Sequence, residues 1–366
     1  MSLVEPPILV RERLFIGNIN HAAKVLQEGD DEITHILSLL SSASISFFSE
    51  WRANVSIKTK EIRKVYAGDD AHSSSNDQVH SENSAVGNEK LLYLLEHAGP
   101  ELKQVRMAVP LRDMENENLL DYLDVCLNFI EKSREEGSVL VHCFAGVSRS
   151  AAVITAYLMR TEQLSLEDAL ESLRLRCESV CPNDGFLEQL KMFEDMGFRI
   201  DHASPIYKRF RLKQMGESYN RGDKIDVSKF GIDPGTTTEN FPSETAANST
   251  RSTKLYRCKR CRRIVALQDH VISHTPGEGE ACFEWKKWRS GNPFNCSDEG
   301  ECSSIFIEPL KWMTEVEEGA LEGKLSCANC DARLGNFNWS GIQCSCGSWI
   351  TPAFQIHKSR VDLSAL

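Results

Sequence analysis

The chain has 366 residues, of which 41% are hydrophobic and 26% charged, a composition typical of a globular protein long enough for two domains. Its formal net charge of −11 argues against coating of nucleic acid by the whole surface, but it permits a local basic patch. The N-terminal residues lack the pattern of a signal peptide, and no apolar run approaches the length of a membrane span. We therefore expect a cytoplasmic and nuclear location and no membrane partner.

The first half of the chain alternates between hydrophobic patterns typical of strands and of helices. Apolar, β-branched runs predict strands at residues 14–17, 33–39, 105–111 and 139–141. Apolar positions at helical spacing predict helices at residues 22–26, 119–133, 148–160, 166–175 and 186–196. Because the two kinds of element interleave, we expect an α/β domain in which helices flank a central sheet.

Composition divides the chain into three parts. Residues 1–215 hold the alternating elements, a basic stretch at 208–213 that we expect to be a helical extension, and a polar insertion at about 67–88 that we expect to be mobile. Residues 216–253 lose this periodicity, and their Gly, Ser, Thr, Asn and Pro content predicts a flexible linker. Residues 254–366 are predicted to form a small, mostly β domain that needs metal for stability.

The thirteen cysteines are unevenly distributed along the chain. Cys143 is discussed below, and three others in the first half are expected to be structural: Cys126, Cys177 and Cys181. The other nine lie between residues 258 and 346. In a reducing compartment such a cluster predicts metal ligands before disulfides.

A strand, a loop of the form Cys-x5-Arg and a helix follow one another at residues 139–160. The helix predicted from Ser148 presents unpaired backbone N–H groups to the loop. These donors and the helix dipole attract an anion and lower the pKa of a cysteine beside them, so Cys143 is predicted to be a thiolate near neutral pH. The guanidinium of Arg149 can hold two oxygens of one phosphate, which a lysine cannot. The loop therefore predicts a nucleophilic cysteine within a phosphate site.

Other residues of the loop have supporting roles. Gly146 leaves room where the backbone must wrap an anion, and the Ser150 hydroxyl can donate to the sulfur as it leaves in a second step. His142 is expected to orient the loop through hydrogen bonds without reacting. The predicted substrate-binding positions lie between the nucleophile and the arginine clamp: Phe144, Ala145, Gly146, Val147, Ser148 and Arg149.

A phosphate ester also needs a general acid, because the leaving oxygen must be protonated as its bond to phosphorus breaks. Asp113 follows the strand predicted at 105–111 and precedes Cys143 by thirty residues. A carboxylate on a loop at that point suits an acid that first protonates the leaving oxygen and then activates water. Asp121 and Asp124 are nearby alternatives.

The first half of the chain resembles the dual-specificity phosphatases at residues 14–18, 33–37, 142–150, 156–159 and 182–190. The resemblance implies a protein tyrosine phosphatase-like fold, with Cys143 as the phosphocysteine, Arg149 as the phosphate clamp and Asp113 as the acid. It also implies phosphotyrosine and phosphoserine/threonine proteins as substrates. Lipid-specific relatives carry lysines in the loop, and the neutral side chains at the variable positions here favour a protein or small phosphoester. The insertion at 67–88 departs from the family.

Ligand spacing recurs in the second domain. Two Cys-x2-Cys pairs, one Cys-x-Cys pair and two single residues supply eight candidate ligands: Cys258, Cys261, His274, Cys302, Cys327, Cys330, Cys344 and Cys346. Eight ligands make two structural zinc sites, and no metal is expected in catalysis. The two Cys-x2-Cys pairs either share one ion or belong to different sites. The alternative ligands are Cys282, Cys296, His270 and His357.

Closed four-ligand metal sites are structural, so the second domain is assigned a binding role. Basic residues surround its first pair of cysteines: Arg257, Lys259, Arg260, Arg262 and Arg263. Trp339 and Trp349 flank the last ligands. These groups either bind RNA, through phosphate contacts and stacking, or form a solvated face over a core tryptophan.

The combination of the two domains resembles the dual-specificity protein phosphatase 12 family, whose members are atypical dual-specificity phosphatases with a C-terminal zinc-binding domain. Residues 306–309, 334–339 and 349–357 carry the second half of the resemblance. It implies a role in late assembly of the large ribosomal subunit, on the pre-60S particle. Two hypotheses follow: a protein phosphatase with a docking domain, or a non-enzymatic assembly factor that acts mainly through its zinc domain.

Overall fold

The computed structural model describes residues 6–66, 91–222, 225, 227, 230–236, 254–275, 277 and 302–365. It divides into two units, Met1–Asp201 and His202–Leu366. The insertion expected at 67–88 lies outside the described residues, as do Cys282, Cys296 and much of the expected linker. Within the described ranges, no helix combines the length and the apolar character that crossing a bilayer requires.

The first unit is built on a mixed seven-stranded sheet. Its strands in chain order are β1 (Ile8–Arg11), β2 (Leu14–Gly17), β3 (Ile33–Leu40), β4 (Thr59–Tyr66), β5 (Leu91–Ala98), β6 (Gln104–Pro110) and β7 (Ser138–His142). Their order in the sheet is β1-β2-β7-β3-β6-β5-β4. The central strands β2, β7, β3 and β6 are parallel, and the outer strands join them in antiparallel pairs. The carboxyl ends of the parallel strands therefore meet at one edge.

Helices cover both faces of this sheet. They are α1 (Ile19–Glu28), α2 (Ser46–Trp51), α3 (Leu120–Glu136), α4 (Arg149–Glu162), α5 (Leu166–Arg174) and α6 (Asp184–Asp195). The first two share an apolar cluster with one face of the sheet, whereas α4 packs against β2, β7 and the other three helices. Every residue of α4 from Arg149 to Met159 is buried. The predicted α/β domain with a central sheet is confirmed.

Three strands of the sheet were not predicted. β4 is mostly exposed and highly charged, because it lies at the edge of the sheet, where little of a strand is buried. β5 lies beside it and pairs with β6. β1 is a short strand at the opposite edge. The charged sequence of β4 lacks the apolar pattern on which a prediction from sequence depends, whereas β1 and β5 are apolar runs that could have been predicted from that pattern.

The second unit is mostly β-structure, as predicted. It contains two helices and nine strands among its described residues: α7 (Pro205–Asn220), β8 (Lys254–Cys258), β9 (Ile264–Leu267), β10 (Ser304–Phe306), α8 (Thr314–Glu317), β11 (Glu322–Ser326), β12 (Arg333–Asn338), β13 (Ile342–Gln343), β14 (Trp349–Ile350), β15 (Ala353–His357) and β16 (Val361–Ala365). All strand pairs are antiparallel, in sheets ordered β10-β15-β12-β11, β16-β8-β9 and β13-β14.

Helix α7 belongs to the second unit, which begins at His202. The sequence had instead predicted that the catalytic domain ends at residue 215 and that a linker begins at 216. The ring of Tyr219 stacks on that of Trp339, with centroids 4.9 Å apart and planes 9° from parallel. Leu212 and Phe230 are buried in the core of the second unit. The basic stretch at 208–213 is helical, as expected, but it extends the second unit because its apolar side chains are buried there.

Candidate active site

The Cys-x5-Arg loop joins the central strand β7 to the buried helix α4. Because β7 ends at His142 and α4 begins at Arg149, Cys143 directly follows a strand that is hydrogen-bonded to a neighbour on each side. The first turn of α4 directs its free N–H groups toward the loop. The candidate nucleophile and a helix end suited to bind an anion therefore lie at the same edge of the sheet.

Close packing against β2 and α1 holds the loop in place. Gly146 has a φ of +80°, and a Cβ there would lie 2.8 Å from the carbonyl oxygen of Gly17, so both backbone and space require glycine. The amide of Ile19, the first residue of α1, donates to the Phe144 carbonyl oxygen at 3.1 Å. The Phe144 side chain is 45% exposed and faces outward. The loop is therefore braced from the sheet side and open to solvent on the other.

The sulfur of Cys143 is buried and accepts two hydrogen bonds. The residue is 1% exposed, and its Sγ lies 3.2 Å from the Gly146 amide nitrogen and 3.3 Å from the Ser150 Oγ. Burial by itself raises the pKa of this thiol, but the hydroxyl and amide of Ser150, the charge of Arg149 and the amide of Gly146 together lower it below its usual value. The site therefore stabilises a thiolate.

Arg149 is held against the loop that follows β6. Its Nη1 donates to the Leu111 carbonyl oxygen at 3.2 Å, and its Nε lies 3.6 Å from a carboxylate oxygen of Asp113. The Nε–H is buried and donates no hydrogen bond. An unused guanidinium donor inside an anion site is available to a phosphate oxygen.

Asp113 reaches the catalytic loop from the other side. Its Oδ1 accepts hydrogen bonds from the Ser148 hydroxyl at 2.6 Å and from the Asn183 Nδ2 at 2.9 Å. The backbone amide of Asn183 in turn donates to the Ser148 Oγ at 3.1 Å. Two uncharged donors and the nearby guanidinium of Arg149 therefore locate this carboxylate next to the phosphate site.

The two alternative carboxylates lie on α3, away from these contacts. Asp124 accepts a hydrogen bond from Arg160 at 3.2 Å, on α4. Asp121 sits in the first turn of α3. The carboxylate of Asp113 contacts the Cys-x5-Arg loop directly, through Ser148.

Helix α6 fixes the backbone of the loop that carries Asp113. A Cβ at Gly185 would lie 1.9 Å from the Glu115 carbonyl oxygen, so the two backbones are in direct contact. The buried side chain of Gln189 accepts from the Leu119 amide at 2.7 Å and donates to the Glu117 carbonyl oxygen at 2.8 Å. Together with the Asn118 side chain, which accepts from the Asp121 amide at 3.1 Å, it satisfies free amides at the start of α3. The carboxylate is thus carried by an anchored loop.

The sequence did not identify Asn183 and Gln189 as functional residues, although both lie within residues 182–190, which resemble the dual-specificity phosphatases. The signal in the sequence is Asn183 followed by Asp184 and Gly185, which predicts a helix N-terminus with a close backbone approach. His142 is expected to orient the loop through hydrogen bonds, and its Nδ1 lies 3.2 Å from the Cys143 carbonyl oxygen. Its Nε2 contacts the Ser38 Oγ at 2.7 Å, a partner that the sequence did not indicate.

The eight predicted ligands of the second unit form two clusters. Within each cluster the ligand atoms lie within 4.8 Å of one another. One cluster is Cys258, Cys261, Cys327 and Cys330, and the other is His274, Cys302, Cys344 and Cys346. The two Cys-x2-Cys pairs therefore share a cluster, which decides between the two divisions that spacing left open. His270 and His357 belong to neither cluster.

Atom spacings in both clusters fit a tetrahedral metal ion. Tetrahedral zinc–thiolate geometry places two sulfurs about 3.8 Å apart. The Cys258 and Cys330 sulfurs are separated by 3.8 Å, and the Cys261 and Cys327 sulfurs by 3.5 Å. In the other cluster the His274 Nε2 lies 3.3 Å from the Cys346 Sγ. Both clusters can hold a metal ion.

The basic residues around the first cluster are partly committed to contacts within the unit. Arg262 pairs with Asp362, and Arg263 pairs with Asp233. Lys259, Arg260 and Arg262 remain exposed.

The two tryptophans have different roles. Trp339 is fully buried between Tyr219 and Phe354, so it cannot stack on a nucleic-acid base. Trp349 is 44% exposed. Trp339 is therefore a core tryptophan, as the second of the two interpretations held. Of these two tryptophans, only Trp349 has a ring that is accessible to a ligand.

Comparison with known sequences places the active site in a family context. Residues 65–196 match the family described as dual specificity phosphatase, catalytic domain. Human dual specificity protein phosphatase 12 is 42% identical over 267 residues, which cover 72% of this chain and 76% of the human protein. Tyrosine-protein phosphatase YVH1 of Saccharomyces cerevisiae is 34% identical over 279 residues, which cover 69% of this chain and 76% of the yeast protein. An Arabidopsis thaliana protein called a probable inactive dual specificity protein phosphatase-like protein is 57% identical over 108 residues, 30% of this chain and 72% of its own length.

The fold, the Cys-x5-Arg loop and the matching catalytic domain define a protein phosphatase of the dual-specificity class. The second unit, with its two Cys/His clusters, follows that catalytic domain in the same chain. The chain belongs to the family of dual specificity protein phosphatase 12 and yeast YVH1.

Proposed function

We propose that this chain hydrolyses phosphotyrosine and phosphoserine or phosphothreonine in proteins through a phosphocysteine intermediate. The observation that carries the proposal is the arrangement around one buried sulfur. Cys143 Sγ accepts from two donors, Arg149 carries an unused N–H beside it, and Asp113 contacts the same loop. Nucleophile, phosphate clamp and proton donor therefore converge at one site.

In the first step the Cys143 thiolate attacks phosphorus, an S–P bond forms and the bond from phosphorus to the leaving oxygen breaks. Asp113 gives its proton to that oxygen, so the product leaves as a neutral alcohol or phenol. Backbone N–H groups of the loop and the guanidinium of Arg149 hold the remaining phosphoryl oxygens.

In the second step water attacks the phosphocysteine. Asp113, now a carboxylate, accepts a proton from that water, the O–P bond forms and the S–P bond breaks. The sulfur leaves as a thiolate, and the Ser150 hydroxyl at 3.3 Å donates to it. The same hydrogen bond that stabilises the resting thiolate thus assists its release.

Side chains at the mouth of the site favour protein substrates. The variable loop positions are neutral, with Phe144 exposed, and Met114 beside Asp113 is 50% exposed. An apolar rim suits a phosphorylated side chain on a polypeptide. A polyphosphorylated lipid head group would instead need added positive charge.

We expect Cys143→Ser to abolish hydrolysis of an aryl phosphate, because a serine alkoxide cannot form at neutral pH in this site. Arg149→Lys should lower kcat/KM by about 10²- to 10³-fold, because one ammonium replaces a bidentate clamp. Steady-state kinetics measure both effects. Cys181→Ser is the matched control, since that thiol is exposed and only its backbone contacts the loop. Near-normal turnover by Cys143→Ser would refute the phosphocysteine mechanism.

Asp113→Ala should slow substrates with poor leaving groups by about 10²-fold or more and affect good leaving groups much less. A nitrophenolate hardly needs protonation, whereas an alkoxide does. The slope of log kcat/KM against leaving-group pKa is the measurement. Asp124→Ala, which removes a carboxylate from α3, should leave that slope unchanged. Equal losses of Asp113→Ala on all leaving groups would remove Asp113 from the acid role.

We propose that the ion in both clusters is zinc and that each cluster binds one. Thiolate-rich, four-ligand sets with these atom spacings suit Zn²⁺, and such closed sites stabilise a fold and leave no position for substrate. The first ion would be held by two cysteine pairs that follow β8 and β11, and the second by His274 and residues around β10 and β13. Catalysis in the first unit uses no metal.

The purified chain should therefore contain two zinc ions, as measured by elemental analysis. Cys258→Ser should remove one ion and His274→Ala the other, because the clusters share no ligand. Chelation should unfold the second unit, since metal binding contributes to its folding free energy, while aryl phosphate hydrolysis persists. One ion in the unaltered protein, or a joint loss in either variant, would contradict the proposal.

We also propose that the second unit docks the protein on the pre-60S ribosomal particle, where it acts in the nucleus and cytoplasm during large-subunit assembly. Support comes from the family resemblance and from the exposed cations Lys259, Arg260 and Arg262 over the first cluster. Such groups can contact RNA phosphates, and the exposed ring of Trp349 can stack on a base.

The alternative, a non-enzymatic assembly factor, is favoured by one observation. A relative that shares 57% identity over 30% of this chain is called probably inactive in its own name. The complete catalytic set described above favours the enzyme for this chain. Rescue of a strain lacking the protein by Cys143→Ser separates the two hypotheses: rescue supports the assembly factor, and failure supports the enzyme.

The full-length chain should co-sediment with pre-60S particles, and binding should weaken as salt rises because phosphate contacts release counterions. Arg260→Gln combined with Arg262→Gln should reduce binding and leave aryl phosphate hydrolysis unchanged. Lys58→Gln with Lys60→Gln removes the same charge from the first unit and serves as the control. Equal binding by both double variants would refute docking through the basic residues of the second unit.

A further inference from the structure

Four buried polar side chains form a line across the first sheet and end at the catalytic loop. They are Glu96 on β5, Arg106 on β6, Ser38 on β3 and His142 on β7, and none is more than 3% exposed. In the strand register, Glu96 lies opposite Arg106, and Ser38 lies opposite His142. A buried ion pair in the middle of an otherwise apolar face is costly, so its presence calls for a physical role.

One direction of hydrogen bonding gives every group on this line a partner. A guanidinium has donors and no acceptor, so the Arg106 Nε donates to the Ser38 Oγ at 2.9 Å. At the other end the Cys143 carbonyl oxygen can only accept, so the His142 Nδ1 donates to it, and the single proton of the Ser38 hydroxyl is then directed to the His142 Nε2 at 2.7 Å. Nε2 is then an acceptor, and the ring proton must be on Nδ1, which donates to the Cys143 carbonyl oxygen at 3.2 Å. In the Nδ1–H tautomer every group on the line has a partner, and Arg106, by donating to Ser38, leaves the Ser38 proton for Nε2.

Other contacts hold the Arg106 guanidinium in the orientation that this line requires. Its Nη1 pairs with Glu96, and both terminal nitrogens lie 3.3 Å from the Ala43 carbonyl oxygen. The ring of Phe48 packs against it, with the guanidinium carbon 5.5 Å from the ring centroid. Glu96 supplies the charge that allows a guanidinium to be buried here.

His142 stays neutral in this environment. Burial is the main cause that lowers its pKa to about 3, and the positive charges of Arg106 and Arg149 and the ring of His21 act in the same direction. The line therefore selects between two neutral tautomers and leaves the charge unchanged. Only the Nδ1–H form can satisfy the Cys143 carbonyl, whose peptide begins the loop that carries the anion-binding amides.

We propose that Arg106 and Glu96, through Ser38, are positioning residues that hold His142 in the Nδ1–H tautomer and thereby fix the Cys143 peptide for phosphate binding and attack. The inference rests on the proposed function of Cys143. Neither charged residue lies in the loop or touches substrate. Their effect reaches the sulfur only through the carbonyl of the residue that bears it.

The primary test combines Arg106→Met with Glu96→Leu, which removes both buried charges and keeps apolar volume. Nitrogen-15 spectra of the histidine-labelled full chain, assigned with His142→Asn, report the tautomer directly. We expect Nδ1–H in the unaltered protein and a mixture of both tautomers in the double variant. The pH midpoint of Cys143 alkylation by iodoacetate should rise, and kcat/KM for an aryl phosphate should fall by about 10- to 100-fold, as for small displacements of a reacting group.

Ser38→Ala is the second variant, and it serves as the test if the double variant does not fold. It breaks the line by removing a single oxygen atom. It should show the same three changes. Arg11→Met with Glu162→Gln removes another ion pair of the first unit, at 2.8 Å, and should change none of them. A merely structural role would lower Tm with the tautomer and the alkylation midpoint unchanged, and that result would overturn the proposal.

Failure of the inference is distinguishable from failure of the proposed function. The tautomer and the alkylation midpoint are measured without substrate, so they test the line even if the natural substrate differs. If Cys143→Ser keeps activity, the mechanism is wrong whatever the tautomer. If Cys143→Ser is inactive but Ser38→Ala keeps the Nδ1–H form and kcat/KM within twofold, only the positioning role is refuted.

Discussion

Burial of an ionised sulfur is the constraint on which the catalytic unit depends. A thiolate removed from water must receive hydrogen bonds from the protein, or its charge is lost to protonation. Here the donors are the Gly146 amide and the Ser150 hydroxyl, at 3.2 and 3.3 Å from the Cys143 sulfur. Both belong to the junction of β7, an inner strand of the sheet, and α4, which is buried from Arg149 to Met159. The sheet and its helices serve to keep this junction rigid.

The second unit has a small core, and two clusters of candidate metal ligands connect distant parts of its chain. Its sheets are short, and its core gathers around aromatic side chains such as Trp339, Phe337 and Phe354. Two ligand clusters join turns that are far apart in the chain: residues 258 and 330 meet in one, and residues 274 and 346 in the other. Cross-links of this kind limit the freedom of the unfolded chain, which a small apolar core alone compensates poorly.

Hydrogen bonds between polar side chains hold both loops of the candidate active site. Asn183 and Gln189 hold the loop that carries Asp113, and the line from Glu96 to His142 holds the loop that carries Cys143. Such networks contribute less to stability than apolar packing would, but they admit one arrangement of donors and acceptors. The unit therefore gives up some stability for a defined geometry at the sulfur.

The sequence by itself determined whatever depends on neighbours along the chain. The Cys-x5-Arg loop, the alternation of strands and helices and the metal-ligand pairs are local patterns, because a loop, a helix face or a Cys-x2-Cys turn is made by residues a few positions apart. Asp113 was also predicted, because the end of a parallel strand places it at the same edge as Cys143. These local patterns were enough to predict the fold class and to propose the reacting groups.

Only the tertiary structure decided which distant residues meet. Ser38 contacts His142 across 104 positions of sequence, and the Cys258 cluster unites pairs separated by about seventy residues. Helix α7 packs in the second unit, where Tyr219 stacks on the ring of Trp339, although the basic sequence of the helix does not indicate this contact. Strand order and helix packing determine these contacts. Neither can be derived from local residue spacing, because the burial of a side chain depends on residues that are distant in sequence.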